Sequence, residues 1–143
     1  MTTTTRTVLL RGVVAALLGA VVNAGLVAVA QSLGIAPEFR ALTYPPVVFL
    51  SVVGALGATV TFALVERRTS GDPVRTFTRL ATVVLVLSFV PDVGLLVADA
   101  AATVTGVVVL MVMHVVVATV SVALLTGRPV ALGETGDSNP MVR

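Results

Sequence analysis

Four long apolar segments, separated by short polar ones, make up most of the chain. They consist mainly of Val, Leu, Ala and Gly, and they cover residues 12–34, 46–65, 77–98 and 101–125. A transmembrane helix needs about 20 apolar residues, whereas a membrane β-strand is about 10 residues of alternating apolar and polar positions. Because these segments are continuous and long, the pattern predicts four transmembrane helices.

The flanking and connecting segments are short and polar. Residues 1–11 are predicted to form an N-terminal tail, residues 12–126 the transmembrane domain, and residues 127–143 a polar, disordered C-terminal tail. The connections leave no room for another folded domain. We therefore predict an all-α integral membrane protein, built as an antiparallel four-helix bundle.

Composition narrows the class of protein. Hydrophobic residues make up 57% of the chain and charged residues 11%, against about 45–50% and about 25% in soluble domains. The absence of cysteine excludes disulfides, cysteine zinc sites and iron–sulfur clusters. Phosphate-binding glycine loops, zinc-protease motifs and serine-hydrolase motifs are absent as well. We expect neither enzymatic activity nor a bound cofactor.

Basic residues indicate the orientation. All nine are Arg: eight belong to the two tails, the second connection and the start of the third span, and only Arg40 belongs to the first connection. Because basic residues accumulate in cytoplasmic loops, we predict a multi-pass protein of the cell membrane with both termini in the cytoplasm. No basic stripe with interleaved aromatics indicates nucleic-acid binding. The second connection and the start of the third span form a basic loop that contains Arg67, Arg68, Arg75 and Arg79. This loop is either a topology signal that attracts anionic headgroups or a docking site.

The first span also resembles a secretory signal. Arg6 and Arg11 precede an apolar stretch that contains Ala28-Val29-Ala30, a pattern typical of a cleavage site. The apolar stretch is longer than the 7–15 residues of an ordinary signal core. We therefore favour an uncleaved first span.

Each span has one face of small or polar residues at helical spacing. Such faces pack helices together in lipid. The faces consist of Gly12, Ala16, Gly19, Ala20, Asn23, Ala30 and Gln31 on the first span, and of Ser51, Gly54, Ala55 and Ala58 on the second. On the third and fourth spans they consist of Ala81, Leu85, Ser88, Asp92, Leu95 and Asp99, and of Thr103, Val107, Leu110, His114, Ala118 and Ser121. Phe39 and Tyr44 are expected at the outer interface, and Asp99 is expected to cap the fourth helix.

Asp92 is an ionisable residue inside the third span, which costs about 2.5–3.5 kcal/mol on insertion scales. Pro91 removes one backbone hydrogen bond and predicts a helix kink. Ser88, one turn earlier, is placed to bond the freed carbonyl or Asp92 itself. One interpretation is a proton or cation site. The other is that Pro91 breaks the helix and Asp92 caps a short outer segment at the interface.

His114 and Asn23 lie near the middle of their spans. Three roles are open for His114. It is a neutral residue hydrogen-bonded to Asn23, Ser88 or a carbonyl, or it forms a proton relay with Asp92, or it is a haem or metal ligand. One His and no Cys give a metal site within one chain only weak support. Asn23 is expected to link helices. At 1.5 Å per residue, Asp92 and His114 differ in depth by about 6 Å.

Several short motifs carry a resemblance to a known family. They are Arg67-Arg68, then Pro73, Arg75 and Phe77, Val90-Pro91-Asp92, and Met113-His114. Together they resemble an uncharacterised family of small four-span prokaryotic membrane proteins, known only as a domain of unknown function. The resemblance covers roughly the whole chain. It implies the fold and the membrane location, and it implies no activity.

Two functions follow from these observations. The first is a structural or accessory subunit of a larger membrane assembly, because the chain is small and has no large loops. The alternative is an oligomeric carrier or channel that uses Asp92 and His114 to bind a proton, a cation or a small polar solute. In both cases the expected partners are the lipid bilayer and either further copies of the chain or a larger membrane complex.

Overall fold

A computed structural model of the protein describes residues 5–127, which contain four α-helices, one short 3-10 helix and no strand. All four α-helices are long and apolar enough to cross a membrane. They confirm the predicted all-α class. The helices are α1 (Thr5–Ser32), α2 (Tyr44–Arg68), α3 (Pro73–Ala98) and α4 (Val104–Thr126).

The predicted tails coincide only partly with the described part of the chain. Helix α1 begins at Thr5, so that residues 5–11 of the predicted N-terminal tail extend the first helix. Residues 1–4 and residues 128–143 lie outside the described residues. The predictions made for Arg128, Arg143 and the C-terminal tail fall there.

Polar caps set the starts of the last two helices. The carboxylate of Asp72 accepts hydrogen bonds from the backbone amides of Val74 and Arg75, at 3.0 and 3.2 Å, at the start of α3. Helix α4 begins after Thr103, whose hydroxyl accepts from the Gly106 amide at 3.1 Å. These contacts satisfy amides that have no partner within the helix.

Asp99 was therefore wrongly predicted as the cap of α4. It directly follows the last residue of α3, and its carboxylate accepts a hydrogen bond from the Ala101 amide at 2.9 Å. The turn between the two helices extends to Thr103, which leaves Asp99 too far from the first turn of α4 to reach it.

Small residues allow α1 to pack closely against α2 and α4. Ala15, Ala16 and Ala55 are buried together at the contact of α1 with α2. A Cβ atom placed on Gly12 would overlap the side chain of Thr59, so the two backbones meet there at a distance that only glycine permits. The predicted small-residue face of the first span does form a helix contact.

Aromatic residues close the two ends of the bundle. Near the connection of α2 and α3, which we call the Arg67 end, Phe62 and Phe77 pack edge to face with ring centroids 5.1 Å apart. At the opposite end, the Phe39 end, Phe39 is completely buried in a cluster with Leu42, Val107 and others. The prediction that Phe39 lies at the interface was wrong, because its ring fills the space above the adjacent helix ends. Tyr44 is 43% exposed.

Helix α3 is the least buried of the four. Only Phe77 and Asp92 are buried on it, and it packs more extensively on α4 than on α2. A cleft therefore remains between α2 and α3, with α4 as its floor. Four predicted polar residues of the last two helices line this cleft: Ser88 and Asp92 on α3, and His114 and Ser121 on α4.

Candidate functional site

Asp92 and His114 lie side by side in the cleft. The Asp92 Oδ2 and His114 Nδ1 atoms are 3.1 Å apart, and Nδ1 is also 2.9 Å from the carbonyl oxygen of Leu110. A carbonyl oxygen can only accept, so Nδ1 must carry a proton and donate to it. Although Asp92 Oδ2 is close to the ring, it accepts no hydrogen bond of good geometry from any described residue. In the neutral ring, Nε2 is then the nitrogen with a free lone pair.

The side chains of Asp92 and His114 span the difference in depth that is expected between their backbone positions. Side chains lean toward the N-terminus of their own helix. The contact of His114 with the carbonyl of Leu110, one turn earlier, shows this direction. If α3 and α4 run in opposite directions, as predicted, Asp92 and His114 lean toward each other. This explains how two positions about 6 Å apart in depth come into contact.

Asp92 does not cap a separate outer segment. Helix α3 continues through Pro91 to Ala98, and Asp92 is only 5% exposed. The interpretation in which Pro91 breaks the helix was therefore wrong, because α4 packs against α3 beyond the proline and supports the helix there. Ser88 donates to the Leu85 carbonyl at 2.7 Å, so its hydroxyl proton reaches neither the carbonyl freed by Pro91 nor Asp92.

The cleft has a volume of about 580 Å³. Most of its lining is apolar, and the stripe predicted on the third span forms one wall. This stripe was predicted to pack against other helices, whereas most of it faces the open cleft. The wall and floor residues that belong to the predicted faces are Ala81, Leu85, Ser88, Asp92 and Leu95 on α3, and Leu110, His114, Ala118 and Ser121 on α4.

Asn23 holds three helices together at the bottom of the cleft. Its Nδ2 donates to Ser51 Oγ at 2.8 Å and to the Met113 carbonyl at 3.3 Å. Ser51 in turn donates to the Val47 carbonyl at 2.7 Å. This is the geometry that a link between α1, α2 and α4 requires. Ser51 was predicted to lie on a small-residue face, but its pairing with Asn23 was missed. The central positions of the two residues on two such faces were the available signal.

The basic loop is remote from this pair. Arg67, Arg68, Arg75 and Arg79 are all exposed at the Arg67 end. Arg79 precedes Asp92 by about 20 Å along α3, at 1.5 Å per residue. None of the four lines the cleft. Within residues 5–127, no three His, Asp or Glu side chains come together as a metal-binding cluster.

The model of a family of unknown function, DUF6069, matches residues 3–131 of the chain. The chain belongs to this family. This result confirms the resemblance to an uncharacterised family, and the family description assigns no activity to its members. No curated protein and no solved structure matches the chain significantly. The function of this DUF6069 member is therefore inferred from the geometry of its site.

Proposed function

We propose that the protein binds a proton, a small cation or a small polar solute at Asp92 and His114, and moves it as part of an oligomeric carrier or channel. The observation that carries this proposal is the contact of the two side chains, 3.1 Å apart, in one cleft of about 580 Å³. The proposal includes no catalytic activity.

The position of two ionisable side chains inside the membrane spans favours a ligand-binding role for Asp92 and His114 over a packing role. An ionisable residue in a membrane span costs about 2.5–3.5 kcal/mol, and a pair of apolar side chains would hold α3 against α4 without that cost. Among residues 5–127, Asp92 and His114 are also the only titratable residues that line the cleft. A site that accepts or releases a charged species needs such groups beside a space large enough for a ligand.

The distribution of Arg supports an orientation for this site. Eight Arg residues belong to the tails and to the Arg67 end, and one belongs to the Phe39 end. We infer that the protein lies in the cell membrane with both termini in the cytoplasm and the Phe39 end outside. The Asp92–His114 pair then lies in the outer half of the membrane.

Oligomerisation is part of the proposal because the cleft lies on the side of the bundle. Helices α2 and α3 border it, and side chains on both rims are exposed, among them Leu50 and Val84. A second copy placed beside this opening would complete a path across the membrane, while the opening itself stays accessible from the acyl chains. The bilayer is the other partner of the same surface.

Proton flux into proteoliposomes tests this function. Purified protein is reconstituted, a potential is applied, and the internal pH is followed with a trapped dye. We expect flux above that of empty liposomes, lost in Asp92→Asn and retained in Asp99→Asn. Asp99 is a matched control because an amide oxygen still accepts from the Ala101 amide. Retained flux in Asp92→Asn, in protein with unchanged helicity, would overturn the assignment.

The second candidate is an accessory subunit, and the packing of α3 favours it. Only two residues of this helix are buried, whereas Val83, Leu87 and Val90 are each more than half exposed. A partner helix in a larger assembly would cover this surface. Native mass spectrometry after gentle extraction separates the two candidates. A stoichiometric second protein supports the subunit, and a homo-oligomer without partners supports the carrier.

A further inference from the structure

Three buried polar atoms in the described part of the chain have no hydrogen-bond partner, and their residues all line the same cleft. The atoms are Asn23 Oδ1, Asp92 Oδ2 and Ser121 Oγ, in residues that are 1%, 5% and 1% exposed. Buried polar atoms in proteins almost always have a partner. Because all three residues line one cleft, we expect a ligand that donates hydrogen bonds to bind there.

The cleft opens sideways, toward the acyl chains of a bilayer. Its α3 wall extends from Phe77 to Leu95, which is about 27 Å at 1.5 Å per residue. Apolar rim residues on both helices are exposed as well as lining the cleft: Leu50, Val53, Leu80 and Val84. A molecule dissolved in the membrane can therefore enter without crossing the headgroup region.

The charges of the lining favour a cation over an anion. Of the residues that the structure describes, Asp92 is the only acid in the lining, and no Lys or Arg lines the cleft. The proton on His114 Nδ1 already bonds the Leu110 carbonyl. A carboxylate oxygen and an amide oxygen only accept hydrogen bonds, and a hydroxyl can accept one. Each of the three unpartnered atoms can accept a hydrogen bond, and at Asp92 the acceptor also carries a negative charge, which suits a ligand group with N–H donors and a positive charge.

We propose that the cleft binds a membrane-dissolved amine, with its ammonium group at Asp92 and its long apolar body along the wall of α3. This inference rests on the proposed function and names the class of solute that the Asp92–His114 pair takes. Burial of the apolar body supplies binding energy in proportion to its area, and the charge-assisted hydrogen bonds to Asp92 supply selectivity.

The single histidine makes this proposal directly measurable. The chain contains one His, so protein labelled with ¹⁵N-histidine and purified without a histidine tag reports only on His114. The protein is placed in phosphatidylcholine nanodiscs and titrated with dodecylamine, dodecanol or dodecanoate. We expect dodecylamine alone to shift the ring signals saturably.

Two pairs of variants locate the ligand. Gly57 lines the cleft and Gly94 lies on α3 outside it, and a Cβ on either would meet nothing within 4 Å. Gly57→Leu should fill the cleft and weaken the dodecylamine titration about tenfold or more, whereas Gly94→Leu should leave it unchanged. Asp92→Asn should weaken it by a similar factor, because a charge-assisted hydrogen bond is lost. Asp99→Asn is its matched control.

The outcomes separate this inference from the proposed function. Equal shifts of the His114 signals with dodecylamine and dodecanol would mean that any apolar chain fills the cleft. That result would overturn the proposal that the ligand is an amine. If the His114 signals change with the number of protein copies per nanodisc and not with dodecylamine, a second copy of the chain occupies the cleft, which also overturns the proposal. Proton flux that depends on Asp92, together with no response to dodecylamine, would refute the amine and leave the proposed function intact. The absence of both would refute the two together.

Discussion

The contact of α1 with α2 at Gly12 gives a quantitative test of the packing that supports the site. A Cβ on Gly12 would overlap Oγ1 and Cγ2 of Thr59 and would lie 2.9 Å from its Cβ. Thr59 is buried, and its hydroxyl donates to the Ala55 carbonyl at 2.7 Å. The side chain cannot rotate away without losing that bond. In Gly12→Ala, either the helices separate or Thr59 loses its hydrogen bond.

The size of the effect follows from two opposing contributions. An added methyl group in a packed contact costs about 1–3 kcal/mol. Replacing a helical Gly by Ala stabilises the helix by up to about 1 kcal/mol. Gly25 lies on the same helix, and a Cβ there would meet nothing within 4 Å, so Gly25→Ala has only the second contribution. We expect Gly12→Ala to have a free energy of unfolding about 1–3 kcal/mol lower than that of Gly25→Ala.

Reversible unfolding in mixed micelles measures this difference. The helix content is followed by circular dichroism as the fraction of dodecyl sulfate increases. In a double-mutant cycle, Gly12→Ala should cost less in the Thr59→Ala background than in the unaltered protein, because Oγ1 and Cγ2 are absent and only the Cβ of residue 59, at 2.9 Å, stays too close. Equal stability of Gly12→Ala and Gly25→Ala would refute the close contact of the two helices.

Three further predictions concern the site and the cap of α3. Asn23→Ala should lower the free energy of unfolding by about 1–2 kcal/mol, because it removes two hydrogen bonds and leaves a small void; unchanged unfolding would contradict its role as a link between helices. The ¹⁵N spectrum of His114 should show the proton on Nδ1 in the neutral ring, since Leu110 accepts from that atom; a proton on Nε2 alone would refute the geometry. Asp72→Ala should cost about 1 kcal/mol and speed hydrogen exchange at Val74 and Arg75, whereas Asp72→Asn should preserve the cap.

The helices themselves were predictable from the apolar pattern, and the exceptions have local causes. The start of α4 was misplaced because both Asp99 and Thr103 are good capping residues, and the sequence does not tell which one has the first-turn amides within reach. Phe39 was misplaced because an aromatic residue beside a span suits an interface as well as a core. Only the turn before α2 directs the ring inward.

The candidate site was predictable as a set of residues and not as an arrangement. Asp92, His114 and Asn23 were evident because polar residues are rare in apolar spans. Helical spacing also placed Ser88 and Asp92 on one stripe. The 3.1 Å contact of Asp92 with His114 was not predictable, since it depends on how far α3 is displaced and tilted relative to α4.

The number of helices, their approximate ends and the polar positions on each follow from the apolar pattern alone, because helix formation depends on local hydrogen bonds and on the length of apolar sequence. Which helix faces meet depends instead on the packing of the whole bundle. In lipid, a Val or Leu side chain is as well solvated by acyl chains as by another helix, so the apolar pattern does not mark the buried side. The faces of α3 and α4 that looked like packing surfaces therefore border a cleft, and the structure alone reveals that Asp92 and His114 share it.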